Sequence, residues 1–90
     1  MYNIRPSAKF QRDLKRIKKR GYDISLLTEI LKKLAAGVSL PPKNRDHSLS
    51  GEYEGCRECH ITHDWLLVYE VDGNTLILYL IRTGSHSDLF

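Results

Sequence analysis

The chain has 90 residues, a net charge of +3, 41% hydrophobic residues and 28% charged residues. That balance excludes disordered, collagen-like and low-complexity chains, and the length predicts one domain with a small core. No apolar run approaches the ~18 residues of a membrane span. Arg5, Lys9 and Arg12 arrive early with no apolar segment behind them, so no signal peptide and no membrane contact is expected, and the cytoplasm is the expected compartment.

The charge is uneven. Residues 1–20 carry +7 and residues 21–90 carry −4. A basic first quarter implies a polyanionic or acidic partner, and a solvated lysine-rich helix face accounts for it equally well.

In chain order, Tyr2 and Ile4 alternate with polar residues and predict a short first strand ending at Pro6. Ser7 is placed to cap a helix, on which Phe10, Leu14 and Ile17 form an apolar stripe opposite Arg12, Lys15, Arg16 and Lys19. Gly21 ends it. A second helix starts near Asp23 or Ser25, runs through Leu27, Ile30, Leu31 and Leu34, and stops at Gly37. Pro41 and Pro42 forbid its resumption. The short link between the helices favours an antiparallel hairpin.

Beyond Pro42 the period changes from 3.6 to 2. Residues 43–55 read as loop, and a strand follows from Gly55 to Ile61. On it Arg57, Cys59 and Ile61 lie on one side, with Cys56, Glu58 and His60 on the other. His63 and Asp64 read as a turn, Trp65 to Val71 as a strand, Asp72-Gly73-Asn74 as a hairpin turn, and Thr75 to Arg82 as the last strand. The tail from Thr83 to Phe90 is polar except at its end. The expected fold class is therefore α+β in a single domain. An N-terminal strand and a two-helix hairpin pack on a small, mostly antiparallel sheet that ends in a three-strand meander.

Four histidines, His47, His60, His63 and His86, lie in the second half. Histidine is the side chain best suited to proton transfer near neutral pH. Asp64 follows His60 across the turn, and Arg82 and His86 are four apart at the end of the last strand. This order allows His60, Asp64, Arg82 and His86 to share one rim of the sheet. Trp65 and the terminal Phe90 are either core residues or platforms for stacking a nucleobase.

Cys56-Arg57-Glu58-Cys59-His60 has the spacing of a haem attachment site, and with His63 it has that of a zinc site. Residues three apart on a strand point to opposite faces, so Cys56 and Cys59 do not converge on one metal. No metal and no cofactor is expected.

Three blocks carry a family resemblance. Residues 43–51 (KNRDHSLSG) resemble the K-D-H-x-L-x-G loop of the YafQ-like toxins. Arg57-Glu58-Cys59-His60 followed by Asp64-Trp65-Leu66-Leu67-Val68-Tyr69 resembles their R-[DE]-x-H-x-x-x-D-W-[IL]-L-[IV]-Y strand pair. Residues 82–90 (RTGSHSDLF) resemble their R-T-G-[ST]-H-x-x-L-F ending. The blocks stand in the family's order and span the chain. His63 departs from the proline common before Asp64, and Cys56 from a more usual aromatic or apolar residue.

That family lies in the RelE/ParE toxin superfamily. The resemblance implies a RelE-like fold and an endoribonuclease that cuts mRNA in the ribosomal A site. It implies a catalytic set of His47, His60, Asp64, Arg82 and His86, with Trp65 and Phe90 near the substrate. In that reading His47 or His60, supported by Asp64, is the base, Arg82 holds the phosphate and His86 is the acid. Arg12, Lys15, Arg16 and Lys19 face ribosomal RNA. The implied partners are a neutralising antitoxin, the ribosome and mRNA, with the free toxin a monomer. The alternative within the superfamily is a ParE-like toxin that poisons a protein such as gyrase, and outside it a plain RNA-binding module.

Overall fold

Ser7 opens the first helix as its residue type predicts: its Oγ accepts from Phe10 N at 3.0 Å and donates to the Ile81 carbonyl at 2.8 Å. Asp23 opens the second by accepting from Ser25 N at 3.0 Å. The computed structural model describes all residues, 1–90. Its elements are β1 (Asn3–Pro6), α1 (Ala8–Lys19), α2 (Ile24–Ala35), β2 (His47–Ser48), β3 (Arg57–Thr62), β4 (Trp65–Asp72), β5 (Ile77–Gly84) and α3 (His86–Leu89). Gly21 takes φ +82°, the left-handed residue that ends α1 and turns the chain into α2.

The strands form one sheet in the order β1-β5-β4-β3-β2. β3, β4 and β5 are the expected antiparallel meander, and β1 joins β5 in parallel. Alternation divides the sheet into two faces. On one, Cys59, Leu67, Tyr69, Leu78 and Leu80 pack with Trp65 against Phe10 and Ile17 of α1 and Leu27, Ile30 and Leu34 of α2. On the other, Leu66 and Val68 meet only Leu89 as a fully buried partner, with Leu49, Tyr53, Cys56 and Ile81 around them. The helices thus bury one face, and the second face carries its polar residues toward solvent.

Three local features differ from the expectation. The loop between α2 and β3 contains β2, whose His47 pairs with Glu58. The last hairpin turn is longer, because Asp72 Oδ1 accepts from Asn74 N and Thr75 N and Leu76 takes φ +56°, so β5 begins at Ile77. The tail is not a plain polar extension, since Thr83 and Gly84 complete β5 and His86–Leu89 form α3. Ser85 Oγ accepts from Asp88 N at 3.3 Å and Asp88 Oδ2 accepts from Ser85 N at 2.9 Å, a capping box spelled by Ser85-His86-Ser87-Asp88.

Candidate active site

β3 and β4 pair with His60 opposite Leu66 and Glu58 opposite Val68, and β2 adds His47 opposite Glu58. Glu58 and His60 are two residues apart on one strand, so both side chains stand on the face away from the helices. Glu58 Oε1 lies 3.6 Å from Nε2 of His47 and 3.6 Å from Nε2 of His60. Its side chain is only 6% exposed, while that of His47 is 50% exposed. A buried carboxylate is stable when it is paired, and two imidazoles flank this one.

His47 Nδ1 donates to the Arg45 carbonyl at 2.6 Å. A carbonyl only accepts, so Nδ1 carries a proton, and Nε2 is the nitrogen turned to Glu58, which it pairs when the ring is protonated there as well. Arg45 presents that carbonyl from a left-handed conformation, φ +46°. Asn44 secures the neighbouring strand by donating from Nδ2 to the His60 carbonyl at 2.7 Å.

His86 enters from α3. Its ring centroid is 5.6 Å from that of His60, in an edge-to-face arrangement. Asp64, in the β3–β4 turn, accepts twice from it at Oδ1: from His86 N at 3.0 Å and from Nδ1 at 2.6 Å. These backbone and ring hydrogen bonds from His86 hold the Asp64 carboxyl below the usual carboxylate range. With Nδ1 bound to an ionised carboxylate, Nε2 of His86 is the nitrogen free for chemistry.

The structure therefore gathers His47, Glu58, His60, His86 and Asp64 into one cluster, and it alters three expectations. Asp64 supports His86, and the carboxylate beside His47 and His60 is Glu58, which sequence reasoning placed on the correct face but did not nominate. Arg82 does not join the histidines directly. It sits opposite Val68 on β5, and its Nε and Nη2 donate to Asp13 of α1 at 2.6 and 3.1 Å, so Asp13 occupies the fork expected to hold phosphate. Asp13 thereby strengthens the charged form of Arg82.

Trp65 is corrected most plainly. It is 2% exposed, packs edge-on to Tyr22 at 5.1 Å, and donates from Nε1 to Thr83 Oγ1 at 2.9 Å. A ring so buried and bonded offers no face to a base. Phe90 is 63% exposed and meets Tyr53 edge-on at 5.5 Å beside the open face. Arg12, Lys15, Arg16 and Lys19 are all exposed on α1. Arg12 and Arg16 share a cavity with Lys9, Asp13 and Arg82. His63 lines a separate cavity of about 310 Å³ with Lys43, Asn44, Arg45, His60, Ile61 and Thr62.

Cys59 lies in the core against the helices and Cys56 borders the opposite face, so the two thiols do not share a site. Burial pushes the Cys59 thiol up to about 12. A different set has metal-ligand character, however: one ligand atom each from Glu58, His60 and His86 lie within 4.8 Å of one another. Two imidazoles and a carboxylate suit zinc or copper. The sequence expectation of no metal site overlooked this convergence, because α3 brings His86 to β3 only in three dimensions.

A family model described as bacterial toxin of type II toxin-antitoxin system, YafQ, matches residues 2–90. The mRNA interferase toxin YafQ of Escherichia coli K12 is 33% identical over 89 residues, which are 98% of this chain and 95% of that protein. Among solved structures, a metal-bound toxin from Helicobacter pylori is 44% identical with a TM-score of 0.93, and each chain is covered completely. The Escherichia coli DinJ-YafQ complex is 32% identical with a TM-score of 0.90, covering 100% of this chain and 99% of that one.

Proposed function

Given that this chain belongs to the YafQ family of bacterial toxins from type II toxin–antitoxin systems, we propose that it is an mRNA interferase, an endoribonuclease that stops translation. The observation that carries this reading is the cluster of three histidines and two carboxylates. It offers separate candidates for a base and an acid, as RNA cleavage by its own 2′-hydroxyl requires.

In the proposed reaction a base removes the 2′ proton, the 2′-oxygen bonds to the adjacent phosphorus, and the P–O5′ bond breaks. The products are a 2′,3′-cyclic phosphate and a 5′-hydroxyl. His60, with Glu58 beside its Nε2, takes the role of base, and His47 shares that carboxylate. His86, oriented by Asp64, protonates the departing 5′-oxygen from Nε2. Arg82 and the α1 cations Arg12, Arg16, Lys15 and Lys19 provide positive charge for the phosphates and for ribosomal RNA. Phe90 stacks against the substrate.

Glu58, His60 and His86 would hold a divalent transition metal, and the Helicobacter pylori relative is described as metal-bound. A cation there would supply Lewis acidity. We assign the proton transfers to the chain's own side chains.

The proposed partners are an antitoxin, as in the Escherichia coli DinJ-YafQ complex, and the ribosome with mRNA in its A site. An acidic or amphipathic antitoxin segment fits the basic α1. The free toxin is proposed to be a cytoplasmic monomer of one domain. No helix is long and apolar enough to cross a membrane.

The test is induction of wild type and His86→Ala in bacteria without antitoxin, with mRNA 5′ ends mapped by primer extension. The nuclease reading expects new cuts within translated codons for wild type and none for the variant. Growth arrest with intact mRNA in both would replace it with poisoning of a protein target.

A further inference from the structure

Asp13 is an acidic residue in the most basic element of the chain, and it is 3% exposed. Its two carboxylate oxygens accept four hydrogen bonds. Oδ2 takes Arg82 Nε at 2.6 Å and Thr83 N at 3.1 Å, and Oδ1 takes Arg16 Nη2 at 2.8 Å and Arg82 Nη2 at 3.1 Å. β1 pairs with β5 only as far as Leu80, and Asp13 takes over that edge by accepting from Thr83 N. The Arg82 side chain is thereby fixed from a helix and from its own strand.

Above this carboxylate is a cavity of about 280 Å³ lined by Lys9, Arg12, Asp13, Arg16 and Arg82, with no apolar residue. Four cations surround one anion, so an excess of positive charge remains. Asp13 uses Nε and one Nη2 proton of Arg82. The other Nη2 proton and both Nη1 protons are left for a second acceptor, for which the nearby Tyr53 hydroxyl competes. Arg82 stands opposite Val68, and Val68 stands opposite Glu58. The backbone of Arg82 is therefore about two strand spacings, ~10 Å, from that of Glu58 in the histidine cluster.

We propose that this cavity is a backbone-phosphate subsite for RNA and that Asp13 is a positioning residue, which aims the Nη1/Nη2 edge of Arg82 at that phosphate. The inference rests on the nuclease reading above. It adds that the fork of Arg82 is spent on Asp13 so that the guanidinium loses no freedom when RNA arrives. Lys9, Arg12 and Arg16 complete the phosphate's surroundings.

The test is a double-mutant cycle on cleavage of mRNA in purified translating ribosomes, using Asp13→Asn, Arg82→Ala and the pair of substitutions together. Asp13→Asn is expected to lower the cleavage rate about tenfold when Arg82 is present and by less than twofold when residue 82 is alanine. A purely structural Asp13 would give the same loss in both backgrounds, and that result, or no loss with Arg82 present, overturns the proposal. Arg82→Lys covers the case in which Asp13→Asn does not fold. It keeps the charge but not the fork, and is expected to lose most of what Arg82→Ala loses. Full activity in Arg82→Lys overturns the proposal. Failure of the wild type to cut any mRNA would strike the nuclease reading instead.

Discussion

Asp64 Oδ1 accepts both the backbone N–H and the ring Nδ1–H of His86, at 3.0 and 2.6 Å. One oxygen thus fixes the first residue of α3 and the tautomer of its side chain. Asp64→Asn keeps an acceptor at that position and removes the charge. It is expected to lower the rate of mRNA cleavage by about tenfold to a hundredfold, with the circular dichroism spectrum unchanged. The pH dependence has a definite sign. The folded Asp64 carboxyl lies below its ordinary value, so its charged partnership with His86 is complete above the unfolded value of ~3.9 and is lost as pH falls through the lower folded value. Acid titration of the His86 ring by NMR, compared between wild type and Asp64→Asn, checks this.

Glu58 is the residue with the least slack. It is flanked by Nε2 of His47 and Nε2 of His60, both at 3.6 Å. Glu58→Gln has the same shape and no charge. The expected result is a fall in kcat of about a hundredfold, with folding retained. A variant that cleaves at the wild-type rate would remove Glu58 from the proposed base.

Gly84 links β5 to α3 at φ +154°, and a Cβ there would lie 2.8 Å from Asp88 Oδ2. Asp88 caps α3 and pairs bidentately with Arg20 at 2.7 and 3.0 Å. Gly84→Ala therefore pushes away the carboxylate that anchors the helix carrying His86. The expected cost is about 1–2 kcal/mol of stability from the lost cap, seen as a lower melting temperature, together with weaker cleavage. The Arg20 hydrogen bonds hold the Asp88 carboxyl well below the usual carboxylate range. The stability it contributes is present above ~3.9 and is lost as pH falls through the folded value. Asp88→Asn should flatten the acid limb of a melting-temperature profile.

Trp65 separates core from site. It donates to Thr83 Oγ1, which itself donates to the Leu66 carbonyl at 2.8 Å. Trp65→Phe removes the donor and leaves unfilled volume, for an expected loss of about 2 kcal/mol measured by denaturant unfolding. Cleavage per folded molecule should not change. A tenfold fall in kcat at full folding would return Trp65 to the substrate.

The apolar stripes of α1 and α2 and the alternation of β3 are legible because each repeats the period of its own element, and the caps at Ser7 and Asp23 follow from residue type alone. Placing Cys59 and Cys56 on opposite faces needed only that alternation. The site was legible as a set of residue types and only partly as a set of partners. Asp64 is four residues from His60 in sequence, yet it bonds to His86, because Ser85 and Asp88 wind the tail into a helix that turns its first residue back to the β3–β4 turn. The spelling S-x-x-D was the available signal. In the sequence Asp13 is the single acid of residues 1–20, and only the end of β1 at Pro6 explains why a carboxylate is wanted at the β5 edge.

The most direct test of the account is the chemistry of the cut ends. Purified wild-type toxin is added to mRNA-programmed ribosomes in magnesium buffer with a chelator selective for transition metals, and both new termini are identified by mass spectrometry. Attack by the 2′-hydroxyl with histidine acid–base catalysis predicts undiminished cleavage, a 2′,3′-cyclic phosphate on the upstream fragment and a 5′-hydroxyl on the downstream one. A 3′-hydroxyl with a 5′-phosphate, or cleavage abolished by the chelator, would contradict it.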